Sequence, residues 1–147
     1  MSATNECQGA CLCGAVSLSV TLNSHDVSAC HCHMCQKWGG GPFLAIESDQ
    51  QVNISGEENV GVYGSSEWAE RGFCRQCGTH LFYRLKEGIQ EGGHYAIPAG
   101  LIDGDKSWIL DQQIFIDEKP DYYAFANSTK SMTGAEVFEA FTGSSDP

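Results

Sequence analysis

The chain has 147 residues and a net charge of −11, with eight basic residues against nineteen acidic ones. This balance argues against nucleic-acid binding, because phosphate contacts need clustered Lys and Arg. No apolar stretch approaches the roughly 18 residues of a membrane-spanning helix, and the first ten residues lack the basic and apolar regions of a secretory signal. We therefore expect one globular domain over residues 1–147 in the cytosol, with no nucleic-acid or membrane partner.

Short apolar runs separated by seventeen glycines extend through the chain. This pattern predicts a mainly β fold of short antiparallel strands joined by tight turns. The clearest strand covers residues 16–22, where apolar and polar side chains alternate as they do in a half-buried strand. Further strands are predicted, in chain order, at residues 43–46, 52–54, 60–63, 81–85, 95–97 and 109–116.

Two stretches carry helix signals. One or two helical turns are predicted after Cys32, ended by the glycines at positions 39–41. Thr133, followed three residues later by Glu136, matches a capping box, in which each residue binds the backbone of the other. We therefore expect a short C-terminal helix over residues 133–142.

Seven of the eight cysteines fall in three clusters. The clusters comprise, in chain order, Cys11 and Cys13, then the triplet Cys30, Cys32 and Cys35, and finally Cys74 and Cys77. In the reducing cytosol, such clusters indicate metal binding or catalysis rather than disulfides. Zinc prefers sulfur ligands at tetrahedral corners about 3.8 Å apart, and both Cys-x-Cys and Cys-x-x-Cys segments can supply such pairs.

The ligand count suggests two different zinc sites. A structural zinc takes four protein ligands, which the two pairs together supply, whereas the triplet is one sulfur short of closure. The triplet therefore predicts an open site whose fourth position accepts a ligand from outside the chain. Gly14 and Gly78 follow the two pairs and suit the left-handed backbone that such turns often need.

Several alternatives stay open. Cys74 and Cys77 match a thioredoxin-like redox motif by spacing, but the βαβ context of that motif is missing. His31 or His33 could close the triplet site and make it purely structural, although a histidine beside a ligand cysteine more often lies outside the coordination sphere. Cys7 is left over, and a plain core or surface thiol is its expected role.

Three motifs, taken in order, resemble those of one known family. They are Gly-x-Cys-x-Cys-Gly-x-Val at residues 9–16, Cys-His-Cys-x-x-Cys-Gln-Lys at residues 30–37 and Arg-x-Phe-Cys-x-x-Cys-Gly-Thr-x-Leu at residues 71–81. Segments 100–103 and 119–122 also match. Over residues 8–125 the chain resembles the glutathione-dependent formaldehyde-activating enzyme (GFA) family, which is related to centromere protein V.

The resemblance implies an Mss-four-like, zinc-bearing β fold in a single GFA-type domain, with a core over residues 8–125 and the C-terminal helix as an extension. It implies two zinc ions, a structural one on Cys11, Cys13, Cys74 and Cys77 and a second one on Cys30, Cys32 and Cys35. The family's named reaction joins formaldehyde to glutathione to give S-hydroxymethylglutathione. The resemblance thus predicts a zinc-dependent carbon–sulfur lyase whose partners are glutathione and an aldehyde.

We expect the triplet to form the catalytic site. A thiol bound to its metal would lose its proton near neutral pH and could attack an aldehyde held beside it. Candidates for proton transfer or for binding glutathione carboxylates are His31, His33, Arg75 and His80. The alternative function is a zinc-stabilised interaction module without catalytic activity, which a triplet site closed by a histidine would favour.

Overall fold

The structure is a computed structural model, and it describes residues 6–50, 52–89, 93–104 and 106–142. These residues contain eleven strands and two α-helices, which confirms the predicted mainly β class. In chain order the elements are β1 (Glu6–Ala10), β2 (Ser17–Thr21), β3 (Asp26–Cys30), α1 (His33–Gly39), β4 (Phe43–Ser48), β5 (Asn53–Ser55), β6 (Val60–Gly64), β7 (Ala69–Cys74), β8 (His80–Leu85), β9 (Tyr95–Pro98), β10 (Ile109–Ile114), β11 (Lys130–Met132) and α2 (Gly134–Thr142). The chain separates into two compact units, and the single zinc domain over residues 1–147 stays a prediction.

The first unit comprises the chain up to His25 together with Ile46–Ser107. It contains a three-stranded antiparallel sheet in which β2 lies between β1 and β5. β2 follows the predicted alternation, since Leu18 and Val20 are buried while the polar residues between them are half-exposed. The same unit contains an antiparallel meander in the order β6-β7-β8-β9. The predicted short antiparallel strands are therefore present here.

The second unit comprises Asp26–Ala45 together with the chain from Trp108 onwards. Here β3 pairs antiparallel with the first residues of β4, but it pairs parallel with β10, and β10 pairs parallel with β11. These two parallel pairs depart from the predicted antiparallel arrangement. Parallel neighbours need a connection of a dozen or more residues, and the segments 31–108 and 115–129 provide connections of that length.

The helix predicted after Cys32 is α1, in the second unit. Cys32 is its N-cap, and the Cys32 sulfur accepts a hydrogen bond from the backbone N–H of Cys35 at 3.3 Å. The helix ends at Gly39, and the C-cap residue Gly40 has a φ of 89°, a left-handed conformation that glycine adopts without strain. Among the described residues, neither helix has the length and apolar character needed to span a bilayer.

The C-terminal helix α2 begins with the predicted capping box. The Thr133 hydroxyl accepts a hydrogen bond from the Glu136 N–H at 3.1 Å, and the Glu136 carboxylate accepts one from the Thr133 N–H at 2.8 Å. Phe138 packs edge-on against Phe115 with ring centroids 6.0 Å apart. The helix is therefore held at its first turn by the capping box and along its length by an aromatic contact within the second unit.

Replacing Thr133 by alanine should weaken α2 selectively. Loss of an N-cap hydroxyl costs about 1 kcal/mol of helix stability. Thr133→Ala should therefore increase amide hydrogen exchange in α2 and lower the urea concentration at the midpoint of unfolding. Thr133→Ser keeps the capping oxygen and serves as the control, with exchange close to that of the wild type. Equal protection of α2 in Thr133→Ala and the wild type would contradict this role for the capping box.

Candidate metal centres

The four-cysteine cluster joins the connection between β1 and β2 to the turn between β7 and β8, all within the first unit. Its sulfur atoms lie within 4.8 Å of one another and belong to Cys11, Cys13, Cys74 and Cys77. The sulfur of Cys13 is 3.6 Å from that of Cys11 and 3.7 Å from that of Cys74. These separations are close to the roughly 3.8 Å between neighbouring sulfurs around tetrahedral zinc. The donor set therefore fits one zinc ion held by four thiolates.

Each half of this cluster is shaped by a glycine, as the sequence predicted. Gly14 and Gly78 have φ angles of 79° and 80°, in the left-handed region that residues with a Cβ seldom adopt. Their N–H groups donate to the carbonyls of Cys11 and Cys74 at 3.0 and 2.8 Å. Backbone N–H groups also donate to the sulfurs of the same two cysteines at 3.3 Å. The two tight turns thus bring the four sulfurs together, and backbone N–H groups stabilise two of these sulfurs.

Thr79 links the two halves of the four-cysteine cluster, which sequence reasoning did not foresee. Its hydroxyl oxygen accepts a hydrogen bond from the Leu12 N–H at 3.2 Å, so the hydroxyl proton is free to donate to the Cys77 sulfur 3.1 Å away. Hydrogen bonds from the side chain and backbone of Thr79 lower the pKa of the Cys77 thiol to about 5. Thr79 therefore favours the thiolate form of Cys77, which is the form that binds zinc.

Protonation within the four-cysteine cluster is strongly uneven. Although the backbone N–H of Ala15 opposes the shift, loss of solvation and the three neighbouring thiols raise the pKa of Cys13 to about 12. Cys77 is shifted in the opposite direction. Four sulfurs this close cannot all be ionised without strong mutual repulsion, and a divalent cation between them would offset that repulsion.

The triplet lies in the second unit, where β3 ends and α1 begins. Its sulfur atoms also lie within 4.8 Å of one another, and Cys32 and Cys35 are buried while Cys30 is half-buried. Hydrogen bonds with the sulfurs of Cys32 and Cys35, together with burial, raise the pKa of the Cys30 thiol. Among the described His, Cys, Asp and Glu residues, no fourth ligand atom joins this cluster. The triplet therefore fits a metal with one position left for another ligand.

His31 is fully buried between two cysteines of the triplet, and both of its ring nitrogens contact other groups. Nδ1 lies 2.5 Å from the Tyr123 hydroxyl, and Nε2 lies 2.8 Å from Oε1 of Gln113. The Gln113 amide nitrogen donates to the Thr129 hydroxyl at 2.8 Å, so its oxygen faces His31. His31 therefore donates through Nε2 and accepts the Tyr123 O–H through Nδ1.

This hydrogen bonding decides the role of His31. Burial lowers its pKa, the hydrogen bond to Gln113 opposes that shift, and the charge of Lys119 reinforces it. The ring is therefore neutral at pH 7, and neither nitrogen faces the triplet as a ligand. His31 supports the loop that carries the triplet, and the alternative in which it closes the site has no support in this geometry.

His33 also points away from the triplet. Its side chain is 82% exposed, and Nδ1 lies 3.0 Å from the Glu118 carboxylate, which also accepts the His33 backbone N–H at 2.9 Å. The amide of Gln36 donates to the carbonyls of His31 and Glu118 at 2.7 and 3.0 Å. These contacts tie the start of α1 to the segment that follows β10.

The other two candidates for proton transfer or carboxylate binding, Arg75 and His80, are distant from the triplet in sequence. Arg75 and His80 belong to the first unit, where the Arg75 guanidinium donates to the carbonyl of Val60 at 3.1 Å. His80 lines a cavity of about 410 Å³ with Thr79 and six other residues, and its pKa is lowered by burial and by the charge of a neighbouring arginine. Cys7 is half-buried and belongs to neither cluster.

Comparison with known proteins identifies a family whose matched segment includes both cysteine clusters. Residues 6–118 match the family described as glutathione-dependent formaldehyde-activating enzyme, or GFA. The chain belongs to this family. The matched segment contains all seven clustered cysteines and ends next to Lys119.

This GFA-family chain is similar to two fungal proteins and to one solved bacterial structure. It is 41% identical over 135 residues to an uncharacterized lyase of Schizosaccharomyces pombe, covering 92% of this chain and 96% of that protein. It is 28% identical to a protein of Talaromyces marneffei provisionally named a glutathione-dependent formaldehyde-activating enzyme, covering 80% of this chain and 60% of that longer protein. A crystal structure of a Rhodobacter sphaeroides protein matches with a TM-score of 0.57 and 25% identity, covering 68% of this chain and 91% of that one.

Serine variants should separate the two clusters. The four-cysteine cluster brings together Cys13 and Cys74, which are 61 residues apart, and structural zinc contributes on the order of 10 kcal/mol to folding in small zinc peptides. Cys77→Ser should therefore unfold the protein or make it insoluble, as a strong chelator should. Cys32→Ser keeps an oxygen at the N-cap of α1, so it should stay folded and lose about one equivalent of zinc.

Circular dichroism and elemental analysis of chelator-free preparations provide the measurements. Cys7→Ser is the matched control, since Cys7 belongs to neither cluster, and it should keep the zinc content of the wild type. A folded, fully metallated Cys77→Ser protein beside an unfolded Cys32→Ser protein would reverse the assignment of the two clusters.

Proposed function

We propose that this GFA-family protein is a zinc-dependent carbon–sulfur lyase that forms and cleaves the adduct of glutathione and formaldehyde. The observation that carries this proposal is the triplet, which has three converging sulfurs and no fourth ligand among the described residues. The fourth ligand position would receive the thiol. The names of the relatives, a lyase and a glutathione-dependent formaldehyde-activating enzyme, agree with this chemistry.

The reaction balances without an oxidant or a further reactant. The glutathione sulfur attacks the carbonyl carbon, one S–C bond forms, and the π electrons of the C=O bond move to oxygen. The proton lost by the thiol ends on that oxygen, giving S-hydroxymethylglutathione, and the reverse steps release formaldehyde. A zinc ion held by the triplet would lower the pKa of the thiol and keep its thiolate in place.

The chain contributes binding and orientation. Cys30, Cys32 and Cys35 are proposed as zinc ligands in direct contact with the reacting thiol, and in that sense as the catalytic residues. His31 is neutral and hydrogen-bonded on both sides, so it would hold the triplet loop rather than take up the proton. Three thiolates would leave a bound metal electron-rich, so the rate gain would come mainly from holding the thiol beside the aldehyde.

A second zinc, on Cys11, Cys13, Cys74 and Cys77, is proposed to be structural. Its donor set has four sulfurs, which leaves no position for substrate. Both sites require reduced thiols, so we propose that the protein acts in a reducing compartment such as the cytosol.

Glutathione should change the spectrum of the triplet site alone. In protein loaded with cobalt in place of zinc, millimolar glutathione should shift the visible absorption of the ion in the triplet. Cys32→Ser, which keeps the four-cysteine cluster, should give no shift. S-Methylglutathione, which lacks a free thiol, should be silent with the wild type. An unchanged wild-type spectrum would contradict binding of glutathione at this metal.

Catalysis requires its own measurement. Exchange NMR with ¹³C-labelled formaldehyde and glutathione reports the rate at which free and adduct carbon interconvert. Zinc-loaded wild type should raise this rate above the spontaneous one, and Cys32→Ser should not. Thiol binding without any rate increase would favour the non-catalytic interaction module.

A further inference from the structure

Lys119 occupies an unusual position for a lysine in this acidic chain. It follows the 3-10 helix Ile116–Glu118 in the second unit. Its ammonium lies 4.9 Å from the centroid of the Tyr123 ring and donates to the carbonyl of Pro120 at 3.0 Å. Both contacts hold the charge in place without neutralising it.

The Tyr123 side chain and an amide of α1 connect the segment of Lys119 to the loop that carries the triplet. The Tyr123 hydroxyl donates to His31, which lies between Cys30 and Cys32 in the chain. The amide of Gln36 in α1 bridges the carbonyls of His31 and Glu118, the residue before Lys119. The segment that carries Lys119 is therefore fixed to the loop that carries the triplet.

No carboxylate of the described residues pairs with Lys119. None of the ion pairs found among them includes it. The two acidic residues that directly precede Lys119 are bound elsewhere, since Asp117 accepts the N–H of Gly134 at 2.8 Å and Glu118 accepts from His33. In a chain with a net charge of −11, a lysine that has no carboxylate partner among the described residues, on a segment fixed to the loop of the candidate substrate site, suits an anionic ligand.

We propose that Lys119 binds a carboxylate of the thiol substrate and so makes the triplet site selective for anionic thiols. The inference rests on the proposed function, since it assumes that a thiol enters at the triplet. Glutathione carries two carboxylates, and one ammonium–carboxylate hydrogen bond would fix its backbone relative to the sulfur. Lys119 is then a specificity-determining residue that contacts the substrate away from the reacting atoms.

This role has a clear energetic basis. The acidic surface repels an anionic thiol at long range, with a reach of about 8 Å at physiological salt. A cation held against an aromatic face is partly desolvated, so its attraction for a carboxylate exceeds that of a fully solvated surface lysine. Lys119 would therefore offset the repulsion locally, at the one place where the ligand must be bound.

The test compares two thiols that differ in charge. Titration calorimetry of zinc-loaded protein with glutathione and with glutathione diethyl ester, in which both carboxylates are blocked, measures each Kd. Lys119→Gln should raise the Kd for glutathione about tenfold and change that for the ester less than about twofold. Lys119→Arg should restore most of the affinity. In the exchange assay, KM for glutathione should rise in Lys119→Gln while kcat stays near that of the wild type.

Lys130→Gln is the matched control, because it removes one positive charge from an exposed position on β11 of the same unit. It should leave both Kd values unchanged. If the wild type binds glutathione and Lys119→Gln binds it equally well, the proposed role of Lys119 is overturned while the proposed function stands. If Lys119→Gln weakens the binding of glutathione and of its diethyl ester equally, the role of Lys119 is structural and the proposed carboxylate contact is overturned. If the wild type binds neither thiol, the proposed function fails, and this inference fails with it.

Discussion

Seven cysteine sulfurs are crowded into two clusters, one in each unit. In each cluster the sulfurs lie within 4.8 Å of one another, a spacing at which several thiolates repel strongly unless a cation lies between them. In the first unit the four-cysteine cluster joins the connection after β1 to the turn after β7. A metal bound there would offset the entropy cost of closing a loop of about 60 residues. The tight turns at Gly14 and Gly78 aim the sulfurs inwards.

The triplet is supported in a different way. Its three cysteines are close in sequence, so a metal there would close only a short loop and add less to stability. Its loop is held instead by hydrogen bonds that run from Thr129 through Gln113 and His31 to Tyr123. Because His31 is occupied on both ring nitrogens, it orders the loop without closing the site. The contacts that stabilise the second unit thus leave the triplet without a fourth ligand among the described residues.

Charge adds a further condition on any substrate of this protein. A net charge of −11 disfavours anions such as glutathione over most of the surface. Lys119 is held against Tyr123, while the two acidic side chains that precede it in the chain are bound to other groups. Under the proposed function, binding of the thiol would therefore combine two interactions, one at the sulfur and one at a carboxylate. Two points of attachment fix orientation better than one, which matters when the rate gain comes from positioning.

The local features of this protein could be predicted from residue patterns within single segments. The alternation in residues 16–22, the capping box at Thr133 and the helix after Cys32 were all predicted and are present. The division of the cysteines into four and three was also predictable, because the spacing of a ligand pair is a local property and zinc requires four ligands. The residues that carry zinc or act in catalysis remain proposals built on that geometry.

Contacts between distant segments could not be predicted from local patterns. The parallel pairing of β3 with β10 has no signal in either strand. The alternation of apolar and polar residues indicates which face of a strand is buried, but it does not indicate which strand it pairs with. His31 meets Gln113 and Tyr123 across 82 and 92 residues of chain, so its neighbours could not be read from its position between two cysteines. Lys119 gained a candidate role for the same reason, since only the folded chain brings its charge to the triplet loop. Sequence determines what each segment can bind, and topology determines which segments meet.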